Sequence, residues 1–138
     1  MKTKLRYSIC EPLNPNIIEK GNINKKEVIK IFEAFPWNKY LLDLLKADES
    51  EIYHSPSLEF ENKTSKNGIT ISAVGEPKDF EFYIFYKRPK ETKYFFGLMS
   101  STNENYTSDL PDQTKNDVLE CLIALINDDS NFLERKFN

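Results

Sequence analysis

A catalytic reading of this chain has few parts to work with. His54 is the only histidine. A nucleophile could be assembled on paper from Ser55 or Cys10 with His54 as its base. Such groups are defined by geometry rather than sequence adjacency, and no local motif supports one here. A lone histidine before Ser55-Pro56 reads as a turn residue. Glu59 and Glu61 are two positions apart, which puts both on one face of a strand. Paired carboxylates of that kind serve in glycosidases, but no sugar-stacking cleft accompanies them. Cys10 and Cys121 are the only cysteines, and neither has a partner at metal-ligand or redox spacing. A bridge between them has no support, and Cys121 lies in an apolar helical run suited to a buried thiol. One histidine excludes a histidine-based metal site. Four scattered glycines, at 21, 68, 75 and 97, exclude a phosphate-cradling loop. We therefore expect no catalytic residue, no metal centre and no cofactor.

Binding chemistry is easier to find. Asp79 to Met99, DFEFYIFYKRPKETKYFFGLM, holds eight of the eighteen aromatic residues. It reads as two strands joined by the charged turn Arg88-Pro89-Lys90-Glu91-Thr92. Basic Lys87-Arg88-Pro89-Lys90 could touch phosphate, but a charged hairpin tip more simply prevents edge pairing. The net charge of −3 is unevenly spread. Residues 1–39 and 83–99 are net basic, whereas 40–82 and 100–138 are net acidic. A pI near 5.3 argues against nucleic-acid binding, which needs a basic stripe. The acids Asp43, Asp48, Glu49, Glu51, Glu59 and Glu61 could fill a basic cleft on another protein, or simply form a solvated surface.

The elements that must position these residues follow from periodicity. At 138 residues, 39% hydrophobic and 30% charged, the chain suits one globular domain, 1–138. Residues 1–23 read as an extended arm or edge strand, with Leu5, Tyr7 and Ile9 alternating before Pro12 and Pro15. Asn24, with Glu27 three positions on, marks a helix start in capping-box fashion. That helix ends at Pro36. Asn38 is then placed to cap a second helix, with Trp37 and Leu42 as a staple. Strands are expected at Ser57–Asn62, from Ile69, from Phe80 and from Tyr94 to Met99. Ser101–Pro111 reads as a polar loop. Helices follow over roughly Asp112–Asn127 and from a cap at Ser130. Short turns favour antiparallel pairing. The expected fold is α+β: a four-stranded antiparallel meander flanked by N-terminal and C-terminal helices, α-α-β-β-β-β-α-α.

Strand alternation then assigns faces. Leu58, Phe60, Ile69, Ile71, Phe80, Phe82, Ile84, Tyr94, Phe96 and Leu98 are expected against the helices. Glu59, Glu61, Thr70, Ser72, Glu81, Tyr83, Phe85, Phe95 and Met99 fall on the other face. Aromatics and a methionine beside acids are the composition of a partner surface, unless the N-terminal arm or a terminal helix covers them. The expected partner-binding residues are Glu59, Glu61, Glu81, Tyr83, Phe85 and Phe95.

The stretch ITISAVGEPKDFEFYIFYKR, Ile69 to Arg88, together with Tyr94-Phe95-Phe96-Gly97-Leu98, resembles the immunity proteins of bacterial polymorphic toxins, such as those of contact-dependent growth inhibition. The resemblance covers a little under a fifth of the chain and carries no residue-level motif. It implies a cytoplasmic, non-enzymatic protein that binds one cognate protein toxin, of which many are basic nucleases, and blocks it. It implies neither direct nucleic-acid nor membrane binding. The runner-up expectation is a dimeric adaptor or secretion-chaperone-like protein using the same face or edge for self-association. An enzyme with an unrecognised site is the remote alternative. Whether the protein is a monomer or a homodimer stays open.

Overall fold

A computed structural model describes residues 4–94, 97 and 99–138. It is α+β in two layers, a single antiparallel sheet with helices packed on one side. The elements are β1 (Leu5–Cys10), β2 (Ile18–Ile23), α1 (Lys25–Ala34), α2 (Trp37–Lys46), a 3-10 turn at Glu49–Glu51, β3 (Ser57–Asn62), β4 (Gly68–Glu76), β5 (Asp79–Tyr94), β6 (Met99–Gln113), α3 (Lys115–Ile126) and α4 (Ser130–Lys136). The sheet has six strands in the order β2-β1-β3-β4-β5-β6. The expected four-stranded meander flanked by helices is thus corrected at both ends of the sheet.

At one end, the segment read as an arm or edge strand is an interior strand. β1 pairs with β3 over its whole length, from Leu5 opposite Asn62 to Cys10 opposite Ser57. Its other edge is covered by β2, whose register slips opposite Tyr7 and Ser8, next to Gly21 at φ +89°. A positive φ is inexpensive only for glycine, and a bulge of this kind lets a short strand follow the sheet's twist. Leu5 is fully buried, and the Tyr7 ring stacks on Phe60 at 5.9 Å.

At the other end, the strand read as stopping at Lys87, before a turn at Arg88–Thr92, continues to Tyr94. Pro89 does not break it, because it sits where the register with β6 slips between Arg88 and Lys90. A proline in a ladder is tolerated at such an irregularity, where no N–H is required. The reversal instead falls at Gly97, φ +84°. The polar stretch expected as a loop, Ser101–Pro111, is most of β6. Of the core positions expected near this turn, Phe96 and Leu98 lie outside the described residues, as does Phe95. β4 pairs with β5 only as far as Gly68 opposite Lys87. Past that point, among the described residues, β5 and β6 pair only with each other. Seven further residues of β5 at about 3.3 Å each make a two-stranded ribbon that overhangs the sheet by roughly 20–25 Å.

Arg88, expected as a turn charge, is instead a buried anchor at the ribbon's root. Its side chain is 4% exposed. Nε and Nη2 donate to the Glu134 carboxylate at 2.8 and 3.1 Å, tying α4 to the ribbon. Nη1 donates to the Tyr86 carbonyl and the Ser108 hydroxyl. The guanidinium also lies 4.3 and 4.6 Å from the Tyr86 and Tyr106 ring centres. All three guanidinium nitrogens are hydrogen-bonded, which is the condition for burying a charge. Burial, with Glu134 nearby, pushes the Tyr86 phenol up to about 12, against the opposing pull of Arg88.

The core lies between the sheet and α1–α4. Leu58, Phe60, Ile69, Ile71, Ile84 and Tyr86 are buried from the sheet side. Val28, Phe32, Trp37, Leu41, Leu122, Leu125 and Leu133 meet them from the helices. Each large side chain contributes about 1.5–3 kcal/mol by leaving water. Phe80, expected fully inside, is half-buried at the sheet's end. The helix starts also differ from expectation. Asn24 caps α1 through its backbone carbonyl alone. Asn38 lies inside α2 and accepts from the Lys78 N–H at 2.7 Å, while Leu42 is exposed, so no staple forms. The capping box is at Thr114 and Asp117, at the start of α3. α4 is capped by the Asp129 side chain rather than by Ser130.

Candidate protein-binding face

Because the helices occupy one side of the sheet, the alternate residues of β1, β3, β4 and β5 project from the other. Register places Arg6 opposite Glu61, Glu59 opposite Thr70, Thr70 opposite Phe85 and Ser72 opposite Tyr83. Five of the six expected partner-binding residues, Glu59, Glu61, Glu81, Tyr83 and Phe85, share this face. Phe95 is outside the described residues.

The face divides into a charged half and an aromatic half. In the charged half, Arg6 Nε donates to Glu61 at 2.8 Å and Nη1 to Glu19 at 3.1 Å. Its Nη2 lies 3.6 Å from Glu59. Lys87 Nζ stands 3.4 Å from Glu61 and 3.9 Å from Glu59, and the Thr70 hydroxyl donates to Glu59 at 3.3 Å. Glu59 and Glu61 are therefore 28% and 17% exposed and already neutralised by two cations of the chain itself. Partial burial pushes the Glu61 carboxyl up, but the Arg6 hydrogen bond and the charges of Arg6 and Lys87 outweigh it, and the net shift is downward. For Arg6, burial lowers the pKa while the hydrogen bond to Glu61 and three carboxylates raise it, and the rise prevails. These two acids are cross-strand ties before they are anything else.

The aromatic half is built differently. Tyr83 and Phe85, two positions apart on β5, stack with ring centres 4.6 Å apart and planes 5° from parallel. Both are part-buried and keep some surface in water. The Tyr83 hydroxyl donates to the Asp109 carboxylate on β6, which raises the phenol pKa. Val74, opposite Glu81, is 54% exposed. Glu81 itself is exposed, and its carboxyl is pushed up by a hydrogen bond to Asp112 and by the charges of Asp112 and Asp79. The result is a flat aromatic platform with an acidic end, held rigid by its own stack.

Sequence reasoning passed over Arg6, Glu19 and Asp109 and read Lys87 only as part of a basic turn, yet these residues fix this face. Arg6 and Lys87 were legible as polar positions of alternating strands. Their partners were not, because pairing depends on the order of strands in the sheet. Among the described residues no hydrogen bond joins His54 to Ser55 or Cys10. His54 Nε2 donates to the Pro15 carbonyl at 3.3 Å. Cys10 and Cys121 are free thiols, and burial raises both, Cys121 to about 12. Among the described residues no three His, Cys, Asp or Glu side chains gather as a metal would require. No helix among them is long and apolar enough to cross a membrane. No protein-family model matches this chain, nor does any curated protein or solved structure.

Proposed function

We propose that this chain is a non-enzymatic protein-binding domain, and that it acts in the cytoplasm as an immunity protein that neutralises a cognate bacterial toxin by binding it. The observation that carries the reading is the stacked Tyr83–Phe85 pair on the sheet face that the helices leave free. Two part-exposed aromatics held flat have little side-chain entropy left to lose, so a partner covering them gains the burial energy of the surface they still expose. Glu81 at the end of this platform, with Asp112 and Asp79 nearby, favours a basic partner by charge. Glu59 and Glu61 contribute through a network whose carboxylates outnumber its cations. The test is co-expression with the product of the adjacent upstream gene. Toxicity of that product alone, relieved by this protein but not by its Tyr83→Ala/Phe85→Ala variant, is the expected result. A product harmless on its own removes the toxin from the reading.

A second reading is favoured by the ribbon. β6 is a long edge strand, and an unpaired edge is a template for pairing with another chain. In a dimeric adaptor or secretion-chaperone-like protein, β6 would meet its counterpart in a second copy. Light scattering separates the two readings. A monomer at micromolar concentration disposes of the second, and a stable dimer broken by substitutions along β6 favours it.

A further inference from the structure

At the end of the sheet where β5 begins, a cavity of about 400 Å³ opens between α1, the start of α2 and the start of α3. Its walls include Phe32, Trp37, Phe80 and Phe82, and its rim includes Glu33 and Glu81. The aromatics form one connected group. Trp37 meets Phe82 edge-on at 5.3 Å, Phe80 meets Phe82 edge-on at 5.4 Å, and Phe32 lies 5.5 Å from Phe82. The volume is within the range that holds a small ligand or an inserted side chain.

The charges around this cavity are lopsided. Lys115 is the one cation of the lining, and it stands 3.7 Å from Glu33. Glu81 is the second acid of the lining, and the charges of Asp112 and Asp79 reach its carboxyl, so acids outweigh the one cation here. Among the described residues no Lys or Arg lies within ion-pair distance of those three carboxyls. An aromatic ring presents a negative face, and a cation held among several such rings beside a carboxylate is stabilised by both. An anion meets repulsion here, and a neutral guest leaves the crowded carboxyls as they were. Glu81 also ties the cavity to the platform, since Glu81, Tyr83 and Phe85 are successive outward positions of one strand. A protein lying across Tyr83 and Phe85 would reach the cavity mouth within about 7 Å of strand.

We propose that this cavity receives a lysine or arginine side chain of the bound partner, with the alkyl stem among Trp37, Phe80 and Phe82 and the charge at Glu81. The inference rests on the protein-binding reading above, but its chemistry can be tested without the partner. Trp37 is the only tryptophan and lines the cavity, so its fluorescence reports on occupancy there. The full chain is titrated with n-butylammonium, ethylguanidinium, n-butanol and butyrate at constant ionic strength.

The expected result is a saturable change with both cations, at least fivefold tighter than with butanol, and none with butyrate. Glu81→Gln is expected to weaken the cations about fivefold or more while leaving butanol unchanged. Butanol or butyrate binding as tightly as butylammonium, or cation binding indifferent to Glu81→Gln, would overturn the proposal. So would the absence of any saturable change. Cation binding by a protein that captures no partner in a pull-down would overturn the assignment to a partner's side chain while leaving the cavity's selectivity standing.

Discussion

The two faces of the sheet are made from the same strands by the same alternation, and they solve opposite problems. On the inner face, Phe60, Ile69, Ile71 and Ile84 are completely buried, and their neighbours across the strands are apolar as well. On the outer face, the positions between them carry Glu59, Glu61, Thr70, Tyr83, Phe85 and Lys87, all partly exposed. The inner face gains its energy from leaving water. The outer face, at the alternate positions of the same strands, gains less, because water remains beside each charged pair and the stacked rings keep exposed surface. The comparison teaches that the aromatic content of β5 has two separate uses. Phe82 and Tyr86 are spent on the fold, while Tyr83 and Phe85 leave burial energy available to something else.

That contrast can be broken or sharpened by substitution, and the effects should fall in a definite order. Phe60→Ala on the inner face should cost about 3–5 kcal/mol by denaturant unfolding, as large-to-small changes in a packed core do. A loss below about 1 kcal/mol would mean that the inner face is not the organising core. Arg88→Ala should cost about 2–3 kcal/mol, because it strips several hydrogen bonds at a buried position. Water reaching the part-exposed Glu134 limits the loss. Hydrogen exchange should localise the loosening to α4 and the root of the ribbon. Glu61→Gln on the outer face should cost no more than about 1 kcal/mol at neutral pH, and less in high salt. The folded Glu61 carboxyl titrates below its ordinary value near 4.5. Its contribution is therefore present above the unfolded pKa and lost as pH falls through the folded one. The stability gap between the wild type and Glu61→Gln should close in acid, and a gap that widens there would contradict the assignment. At a comparable level, Tyr83→Ala with Phe85→Ala should change stability by about 1 kcal/mol or less.

The inner face was the more legible in the sequence, because burial writes a period of two into Leu58–Phe60, Ile69–Ala73 and Phe82–Tyr86. Strands without a buried period were not. β2 reads Ile-Glu-Lys-Gly-Asn-Ile, with polar residues on both faces of an edge. β6 is mostly Ser, Thr, Asn and acids, and it is a strand because β5 offers it a long unpaired ladder, not because its own residues prefer one. Pro89 among charged neighbours imitates a turn, and only a slip in register reconciles it with a continuing strand. The outer face was readable as a set of positions. The pairing of Glu59 and Glu61 with Arg6 was not, because it depends on β1 lying beside β3, a neighbour relation between segments about fifty residues apart. The aromatic cavity was hidden for the same reason, since its walls come from α1, α2 and β5.

The outer-face platform is the centre of this account, and affinity tests it most directly. With the partner captured from the native host, the dissociation constant would be measured for the wild type and for Tyr83→Ala/Phe85→Ala under identical salt. Aromatic anchors of an interface cost about 2 kcal/mol or more on truncation, or roughly a thirtyfold weakening. The predicted result is a loss of at least that size while the variant remains folded and nearly as stable as the wild type. Unchanged affinity in the double variant would place the binding surface elsewhere and contradict the account.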